Sequence, residues 1–502
     1  MAIDSAEPIT QEILAAAESL RPLLEPRSVA LIGASRSEKK IGGAILSNLV
    51  AGYAGALYVV NPEVSEVRGI KCYPSISAIG ELIDLAVIAT PAHTVPTIVE
   101  ECGRAGIKGV VIISAGFAEI SAPQGRELQD RVTSIAKSFG MRIIGPNCLG
   151  VLNTDPALNF NATFAPISPP AGNVGFLSQS GALAIAALDY ARAHNIGLSS
   201  FVSVGNKADV SSNDMLAYWA CDKRTKVIAL YLESFGNPRN FVRIAPEVSR
   251  TTPIVAVKSG RSVAGKRAAS SHSASLASVE SAVDAVFSQT GVIRTDTLEQ
   301  LYDVINLLAT QPEPGGPRVG VITNAGGPGI LAVDALEGEG LKVPELSERV
   351  ISKLKTFLPP HASLTNPVDM IASAGPEHFL KSISALGTSG EVDCLLVIYV
   401  PPMVSDPESI ARAIAEGAAA IPNELPIATI FLSSKGAPPV LSNGPRGPIP
   451  SYSFPENAAH ALAASYRHKR WKEKRRGERI VLEEDKARSI REIVLGSPSS
   501  GP

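Results

Sequence analysis

At 502 residues the chain is long for one hydrophobic core, and about three domains are expected. Lysine and arginine (46) nearly balance aspartate and glutamate (48), and the net charge of −2 argues against a global attraction to nucleic acid or anionic membranes. Five scattered cysteines without a CxxC pair argue against a disulfide framework and against a zinc site, and no metal site is expected in this chain. There is no apolar run of about 20 residues and no signal-peptide pattern at the N-terminus. We therefore expect a multidomain cytoplasmic protein without nucleic-acid or membrane partners.

In the first third of the chain, short β-branched runs alternate with amphipathic segments, a pattern typical of parallel sheets built from βαβ units. The predicted strands are residues 28–32, 56–60, 85–89, 109–113 and 142–144, with helical segments at 94–105 and 125–139. A Pro-rich connection at 165–172 ends this block. Residues 1–165 are therefore predicted to form a Rossmann-like domain.

The ligand of this first domain is constrained by how its strands end. Gly33 ends the first strand as in a dinucleotide-binding domain. In such a domain a second glycine, two residues later, lets the backbone approach a pyrophosphate, but this chain has Ser35 at that position. The second strand ends at Asn61 and not at an acid for ribose hydroxyls, so NAD is disfavoured. A Rossmann-like domain without a ligand stays an alternative. The candidate ligand residues near the carboxyl ends of the strands are Gly33, Ser35, Lys39, Lys40, Asn61, Pro62, Thr90, Pro91, Ser114 and Gly116.

Two further blocks open alike. The second has predicted strands at 174–177, 227–232 and 254–257 and a helix at 298–309; the third follows a Pro-rich linker at 311–317 and has strands at 318–322, 394–400 and 427–431. Residues 174–181 and 319–326 share one pattern, which is a strand, a turn of small residues and the start of a helix. One such copy is often an ordinary tight turn, but two copies predict two flavodoxin-like domains, 166–312 and 313–465.

Each of these turns directs backbone N–H groups and the positive end of a helix dipole at one point, which suits an anion. The first turn consists of Ser178, Gln179, Ser180 and Gly181, and the second of Asn324, Ala325, Gly326 and Gly327. The remaining tail, 466–502, begins with a basic run at 467–476, which we interpret as a solvated linker or helix face.

Among the seven histidines, His272 has an unusual context, because it lies in a loop of Ser, Ala and Gly between a strand and a helix. Such a loop gives the ring room to move, and neutral imidazole is a good phosphoryl carrier. Glu233 ends an earlier strand, where a carboxylate could fix the imidazole tautomer. The alternatives are a surface histidine and a strand-end acid that caps a helix.

Eight segments occur in an order that resembles the ADP-forming acetyl-CoA synthetase α subunit, which is related to the succinyl-CoA synthetase α subunit. They are residues 28–61, 90–91, 145–150, 178–181, 204–209, 231–233, 271–273 and 324–328. The resemblance implies an α/β fold with a Rossmann-like CoA-binding domain followed by two flavodoxin-like, succinyl-CoA-ligase-like domains. It implies that His272 becomes phosphohistidine, that Glu233 assists it, and that both turns stabilise it. Asn147 and Ser180 would contact the acyl phosphate.

The same resemblance implies coenzyme A as a ligand and a small carboxylic acid and phosphate as substrates. In that family an ATP-grasp module follows in the same chain or forms a separate β subunit. The chain has no P-loop and ends soon after its third domain, so we expect ATP/ADP and Mg²⁺ on an ATP-grasp β subunit in a hetero-oligomer. Two other hypotheses are a non-catalytic CoA-binding regulatory protein and a Rossmann oxidoreductase.

Overall fold

The computed structural model describes residues 8–120, 122–262, 264–265, 280–402 and 406–474. Its strands form three sheets, which follow one another along the chain and contain seven, seven and five strands. We call them the first, second and third sheet. Within the described ranges, no helix is both long enough and apolar enough to cross a bilayer.

The first sheet has the strand order β3-β4-β2-β1-β5-β6-β7, and only β3 is antiparallel to its neighbour. β1, β5 and β6 are buried along their whole length because helices cover both faces, as their continuous apolar sequences predict. The strands are β1 (Ser28–Ile32), β2 (Ala56–Val60), β3 (Glu66–Val67), β4 (Ile70–Tyr73), β5 (Leu85–Ile88), β6 (Gly109–Ile112) and β7 (Arg142–Ile144). The helices are α1 (Pro8–Leu24), α2 (Ile41–Val50), α3 (Val95–Arg104) and α4 (Pro123–Ser138).

The second sheet has the order β14-β13-β12-β10-β11-β8-β9, in which β8 and β9 are antiparallel. Its strands are β8 (Gly150–Asn153), β9 (Phe160–Thr163), β10 (Ala171–Ser178), β11 (Leu198–Ser203), β12 (Val227–Leu232), β13 (Ile254–Lys258) and β14 (Ile293–Thr295). Its helices are α5 (Gly181–Ala193), α6 (Ser212–Cys221), α7 (Pro238–Thr251), α8 (Glu280–Thr290) and α9 (Leu298–Thr310). Since β8 pairs with β11, this sheet starts at residue 150, before the domain boundary predicted at 165.

The third sheet is parallel throughout, with the order β16-β15-β17-β18-β19. Its strands are β15 (Val319–Thr323), β16 (Val368–Asp369), β17 (Cys394–Tyr399), β18 (Ile427–Phe431) and β19 (Ser451–Tyr452). Its helices are α10 (Gly326–Gly338), α11 (Glu348–Lys355), α12 (Pro376–Gly387), α13 (Pro407–Ala419) and α14 (Pro455–Glu473). The predicted α/β fold class with three parallel-dominated sheets is confirmed.

The first two sheets are joined at the edge strand β7. The segment after β11 runs beside this strand, where Val210 N donates to Ile143 O (3.0 Å) and Ala208 N to Gly145 O (3.1 Å). Arg142 fixes the pairing through an ion pair with Asp209 at 2.8 Å. The carboxyl ends of the two sheets therefore meet across a shared, hydrogen-bonded boundary.

The second and third sheets are joined through α9 and α14. Tyr452 Oη at the end of β19 donates to Asp303 O on α9 (3.1 Å), and Asn457 Nδ2 on α14 donates to the Asp303 carboxylate (2.7 Å). The basic run at the end of α14 is partly a packed helix end, because His468 and Lys472 both contact Glu313 of the linker at 2.5 Å. This contact holds the linker against the helix, so this part of the run is not a solvated linker.

Candidate active site between the first and second sheets

The strand order of the first sheet reverses between β1 and β5, and ligands of open parallel sheets bind at such a point. Gly33 lies there with φ +93°, and a Cβ on it would lie 2.5 Å from Ala89 O and 2.9 Å from Thr90 Cγ2. Only glycine fits this close approach of backbones. Asn61, at the end of β2, donates from Nδ2 to Ala34 O (3.0 Å), which keeps the loop after β1 beside it.

The other predicted CoA residues line the same edge of the first sheet. Ser114 Oγ donates to Thr90 O (2.5 Å) and joins the ends of β5 and β6, while Gly116 follows with φ +110°. Ser35 Oγ accepts from Ser37 N (3.2 Å), which shapes the loop that carries the exposed Lys39 and Lys40. Pro62 and Pro91 stand just past β2 and β5. The structure therefore brings the strand-end residues to one edge and leaves the two lysines on its exposed rim.

A cavity of about 230 Å³ lies where the carboxyl ends of the first and second sheets meet. Three of the predicted site residues line it, namely Asn147, Gln179 and Glu233. Its other lining residues are Ala118, Glu119, Arg126, Gln129, Gly205, Asn206, Lys207 and Ser234. The structure thus gathers residues that stand far apart in the chain into one polar, charged pocket.

Gln179 positions the predicted carboxylate. Its Oε1 accepts hydrogen bonds from the backbone N–H groups of Glu233 and of Ser234, the latter at 2.8 Å. Gln179 itself is 8% exposed and stands in the turn between β10 and α5. The amide therefore clamps the end of β12 and fixes where Glu233 leaves the strand.

A second carboxylate, Glu119, links the two sheets from the other side of the cavity. Asn206 Nδ2 donates to Glu119 (2.5 Å) and to Gln129 (3.0 Å), and Asn147 Nδ2 donates to Asn206 Oδ1 (3.3 Å). Burial alone would raise the pKa of Glu119, but hydrogen bonds from Asn206 and from the backbone N–H groups of Gly116 and Phe117 leave that pKa below its usual value. Glu119 is therefore an ionised anchor between the domains.

Lys207 supplies a cation to the same cavity. Its Nζ donates to Ser234 O (3.0 Å) and Ser234 Oγ (2.5 Å). Burial lowers the pKa of Lys207 to about 8, an effect that Glu233 opposes and Lys258 reinforces. Residues 204–209 form one of the segments of the family resemblance, but Lys207 and Asn206 were not predicted to belong to the site. The left-handed conformation required at Lys207 (φ 54°) cannot be recognised from a lysine in the sequence.

The two predicted phosphohistidine turns have the expected strand–turn–helix form. Gly181 begins α5, with Ser180 Oγ accepting from Leu183 N (3.3 Å), and Gly326 begins α10 after Asn324 and Ala325. Of these turns, Gln179 is the residue that lines the cavity. The predicted carrier His272 lies outside the described residues.

Three family models cover most of the chain. Residues 27–154 match a CoA binding domain, 171–308 a succinyl-CoA ligase like flavodoxin domain, and 319–432 a ligase-CoA domain. Together with the interdomain cavity, these matches define a CoA-binding, succinyl-CoA-ligase-like α/β protein.

Characterised relatives are similar over nearly the full chain. The acetate–CoA ligase (ADP-forming) II subunit alpha of Pyrococcus furiosus is 40% identical over 88% of this chain and 95% of its own length. The acetate–CoA ligase (ADP-forming) of Methanocaldococcus jannaschii is 42% identical over 89% of this chain, which spans 63% of that longer protein. Acetyl-coenzyme A synthetase 1 of Candidatus Korarchaeum cryptofilum, solved with phosphate and ADP, is 37% identical, with a TM-score of 0.84 over 90% of this chain and 97% of that one. This chain belongs to the ADP-forming acid–CoA ligase family.

Proposed function

We propose that this chain is the CoA-binding α component of an ADP-forming ligase that interconverts a small carboxylic acid, ATP and CoA with acyl-CoA, ADP and phosphate. The observation that carries the proposal is the cavity in which Glu233, Gln179 and Asn147 meet beside the carboxyl edge of the CoA-binding domain. The similarity to subunits alpha of acetate–CoA ligases supports it. A CoA-binding regulator would not need a carboxylate, a lysine and a buried amide around one small cavity.

In this proposal CoA lies over the first sheet, with its phosphates near Lys39 and Lys40. The acyl phosphate forms in the cavity beside Asn147 and the Ser180 turn. A phosphate oxygen attacks the thioester carbonyl, and the carbon–sulfur bond breaks with release of CoA. A nitrogen of His272 then attacks phosphorus, and the carboxylate leaves with the electron pair of the broken P–O bond. Glu233 stabilises the positive ring.

The nucleotide step is assigned to a second protein. We propose a separate ATP-grasp β subunit that binds ATP/ADP with Mg²⁺ and assembles with this chain in the cytoplasm. Relatives named subunit alpha are matched along 95% and 99% of their length, which supports a division of the enzyme between chains. The purified chain should therefore form acyl-CoA from acid, ATP and CoA only after the ATP-grasp protein is added, and full activity of the single chain would contradict this division.

The test of the half-reaction uses the full chain, acetyl-CoA and ³²P-labelled phosphate. An acid-labile, base-stable phosphoprotein is expected, because a phosphoramidate has these stabilities and a serine ester does not. His272→Ala should abolish the label, whereas His361→Ala, at an exposed position, should leave it unchanged. Label that persists in His272→Ala would place the phosphate elsewhere and overturn the proposal.

CoA recognition has its own test. Calorimetric titration of the full chain should show binding of CoA and none of NAD, since Ser35 and Asn61 occupy the two positions that a dinucleotide site needs differently. Binding of NAD without binding of CoA would refute the assignment of the first sheet.

A further inference from the structure

Lys207 is held in one place by its backbone. It ends a tight turn in which Asn206 N donates to Pro146 O (3.0 Å) and Lys207 N to Val204 O (2.9 Å). The turn packs so closely against the segment after β7 that a Cβ on Gly205 would lie 2.3 Å from Pro146 O. Lys207 itself has a left-handed φ of 54°, which costs free energy for a residue with a side chain. The chain therefore accepts strain at the position that carries this ammonium group.

The ammonium group has capacity for a ligand. A lysine has three N–H donors, and Ser234 accepts two of them through its backbone and hydroxyl oxygens. In the described part of the chain, no carboxylate forms an ion pair with Lys207 within 4.0 Å. Counted over the described ranges, Lys207 thus stands in the cavity with one N–H donor left over.

Several charged groups surround this lysine. Glu233, Glu119 and Arg126 line the same cavity, and Lys258 lies near enough to oppose the charge of Lys207. On its other side, Lys207 borders a second cavity of about 370 Å³, lined also by Glu12, Asp209 and Asp214. Asp209 and Asp214 are already paired with Arg142, both at 2.8 Å. Glu233 therefore offsets part of the Lys207 charge through space, while Asp209 and Asp214 are engaged with Arg142.

A partly buried cation is favourable only where negative charge or hydrogen-bond acceptors compensate it. A dianion that enters the cavity lined by Gln179 and Glu233 would compensate the positive charge of Lys207. Phosphate suits the free donor better than a carboxylate does, because it brings more charge and more acceptor oxygens.

We propose, on the basis of the proposed function, that Lys207 is a catalytic residue that binds the phosphoryl oxygens of phosphate and acyl phosphate in this cavity. Its charge offsets that of phosphate during attack on the thioester and stays with the phosphoryl group while the bond from phosphorus to the acyl oxygen breaks. Lys207 gains or loses no proton in either step. It is thus distinct from Glu233, which acts on the phosphoryl carrier.

The first experiment measures binding of inorganic phosphate to the full chain by calorimetry, without acyl-CoA. Lys207→Met should weaken binding on the order of 10- to 100-fold, the range for loss of a charged hydrogen bond. Lys207→Arg should retain most of the affinity, and Lys223→Met, an exposed lysine, should match wild type. In the labelling reaction, Lys207→Met should raise the KM for phosphate by a similar factor and leave the KM for acetyl-CoA unchanged.

The same titrations are repeated with sodium acetate. If Lys207→Met weakens acetate binding and not phosphate binding, Lys207 recognises the acid, and the proposal is overturned. Phosphate binding by Lys207→Met that equals wild type also overturns it. These outcomes do not depend on turnover, so a wild-type chain that binds phosphate through Lys207 yet forms no phosphoprotein would count against the proposed function and leave this assignment standing.

A pH series separates the role of this charge from a structural one. The ammonium group exists below its pKa of about 8 and is lost above it, so wild-type affinity for phosphate should fall between about pH 7.5 and about pH 9.5. Lys207→Arg should remove this fall, because a guanidinium stays charged throughout. That variant leaves the other charged groups around the two cavities unchanged, namely Glu233, Glu119, Arg126, Glu12, Asp209, Asp214 and Lys258. An equal fall in Lys207→Arg would assign the titration to another group and overturn the proposal.

Discussion

The turns after β10 and β15 are built in the same way. Ser178 Oγ donates to Ser180 O (2.8 Å) and accepts from Ser180 N (3.2 Å). Thr323 Oγ1 makes the same pair of contacts with Ala325 O (2.9 Å) and Ala325 N (3.0 Å). In both sheets, a hydroxyl at the strand end thus closes the loop that starts the following helix.

The next residue of each turn clamps the neighbouring strand. Gln179 Oε1 accepts from the backbone N–H groups of Glu233 and Ser234, and the side-chain amide of Asn324 exchanges two hydrogen bonds of 2.8 Å with the backbone of Val400. Because the strands pair in the same register, Glu233 and Val400 occupy equivalent positions. The two copies share a frame suited to an anion, but the second sheet alone has a carboxylate at this position.

The largest expected effect tests this difference directly. Glu233→Gln keeps the shape of the side chain and removes its charge, so phosphoprotein formation should slow by a factor on the order of 10²–10⁴. Val400→Ala, at the equivalent position, should stay within about threefold of wild type because no charge is lost there. Rates of labelling at fixed phosphate provide the measurement. Similar losses in both variants would mean that the two sheets act alike.

The second largest effect is expected from the side-chain amides of Gln179 and Asn324, which hold the neighbouring strands. Gln179→Ala and Asn324→Ala each leave partly buried backbone groups without their partner, which should cost about 1–3 kcal/mol of the free energy of unfolding in urea. Gln179→Ala should in addition slow labelling, because Glu233 loses its position, while Asn324→Ala should be milder in this respect. Equal slowing by the two variants would argue against a special role for the second sheet.

The helix caps differ as well. Ser180 caps α5 with its hydroxyl, whereas Ala325 at the start of α10 makes no side-chain cap. Ser180→Ala should therefore lower the free energy of unfolding by about 1 kcal/mol, and Ala325→Ser should raise it by no more than this amount. Denaturant midpoints at constant m-value test both changes. A stabilising Ser180→Ala would show that the hydroxyl is strained rather than capping.

The smallest expected effect concerns Asp369, which lies at the end of β16 beside the start of α10. A Cβ on Gly326, the first residue of α10, would be 3.1 Å from the Asp369 carboxylate. This charge should repel a phosphoryl group at the third-sheet turn. Asp369→Asn keeps an acceptor for Ile371 N and should raise the equilibrium yield of phosphoprotein by about two- to fivefold, the range for one charge at a helix end. An unchanged yield would indicate that the second-sheet turn acts without the third.

Much of the framework was predictable. β1, β2, β7, β12 and β18 have the bounds expected from their apolar runs, because buried parallel strands need continuous hydrophobic residues. The antiparallel β8 and β9 were not recognised, since a strand's sheet depends on pairing with β11, which lies far along the chain. The same limit applies to Glu119 and Asn206, which meet across a domain boundary, and to Lys207, which contacts Ser234 from another part of the second domain.

The sequence by itself determined the α/β class, the two repeated turns and the strand-end position of Glu233, because each follows from local composition and hydrophobic period. Tertiary structure alone decided that Gln179 holds Glu233, that Asn206 anchors Glu119, and that Lys207 enters the same cavity. Local patterns specify where a strand ends. Which charges meet at that end depends on how separate domains pack, and burial in that packing changes the pKa of Lys207.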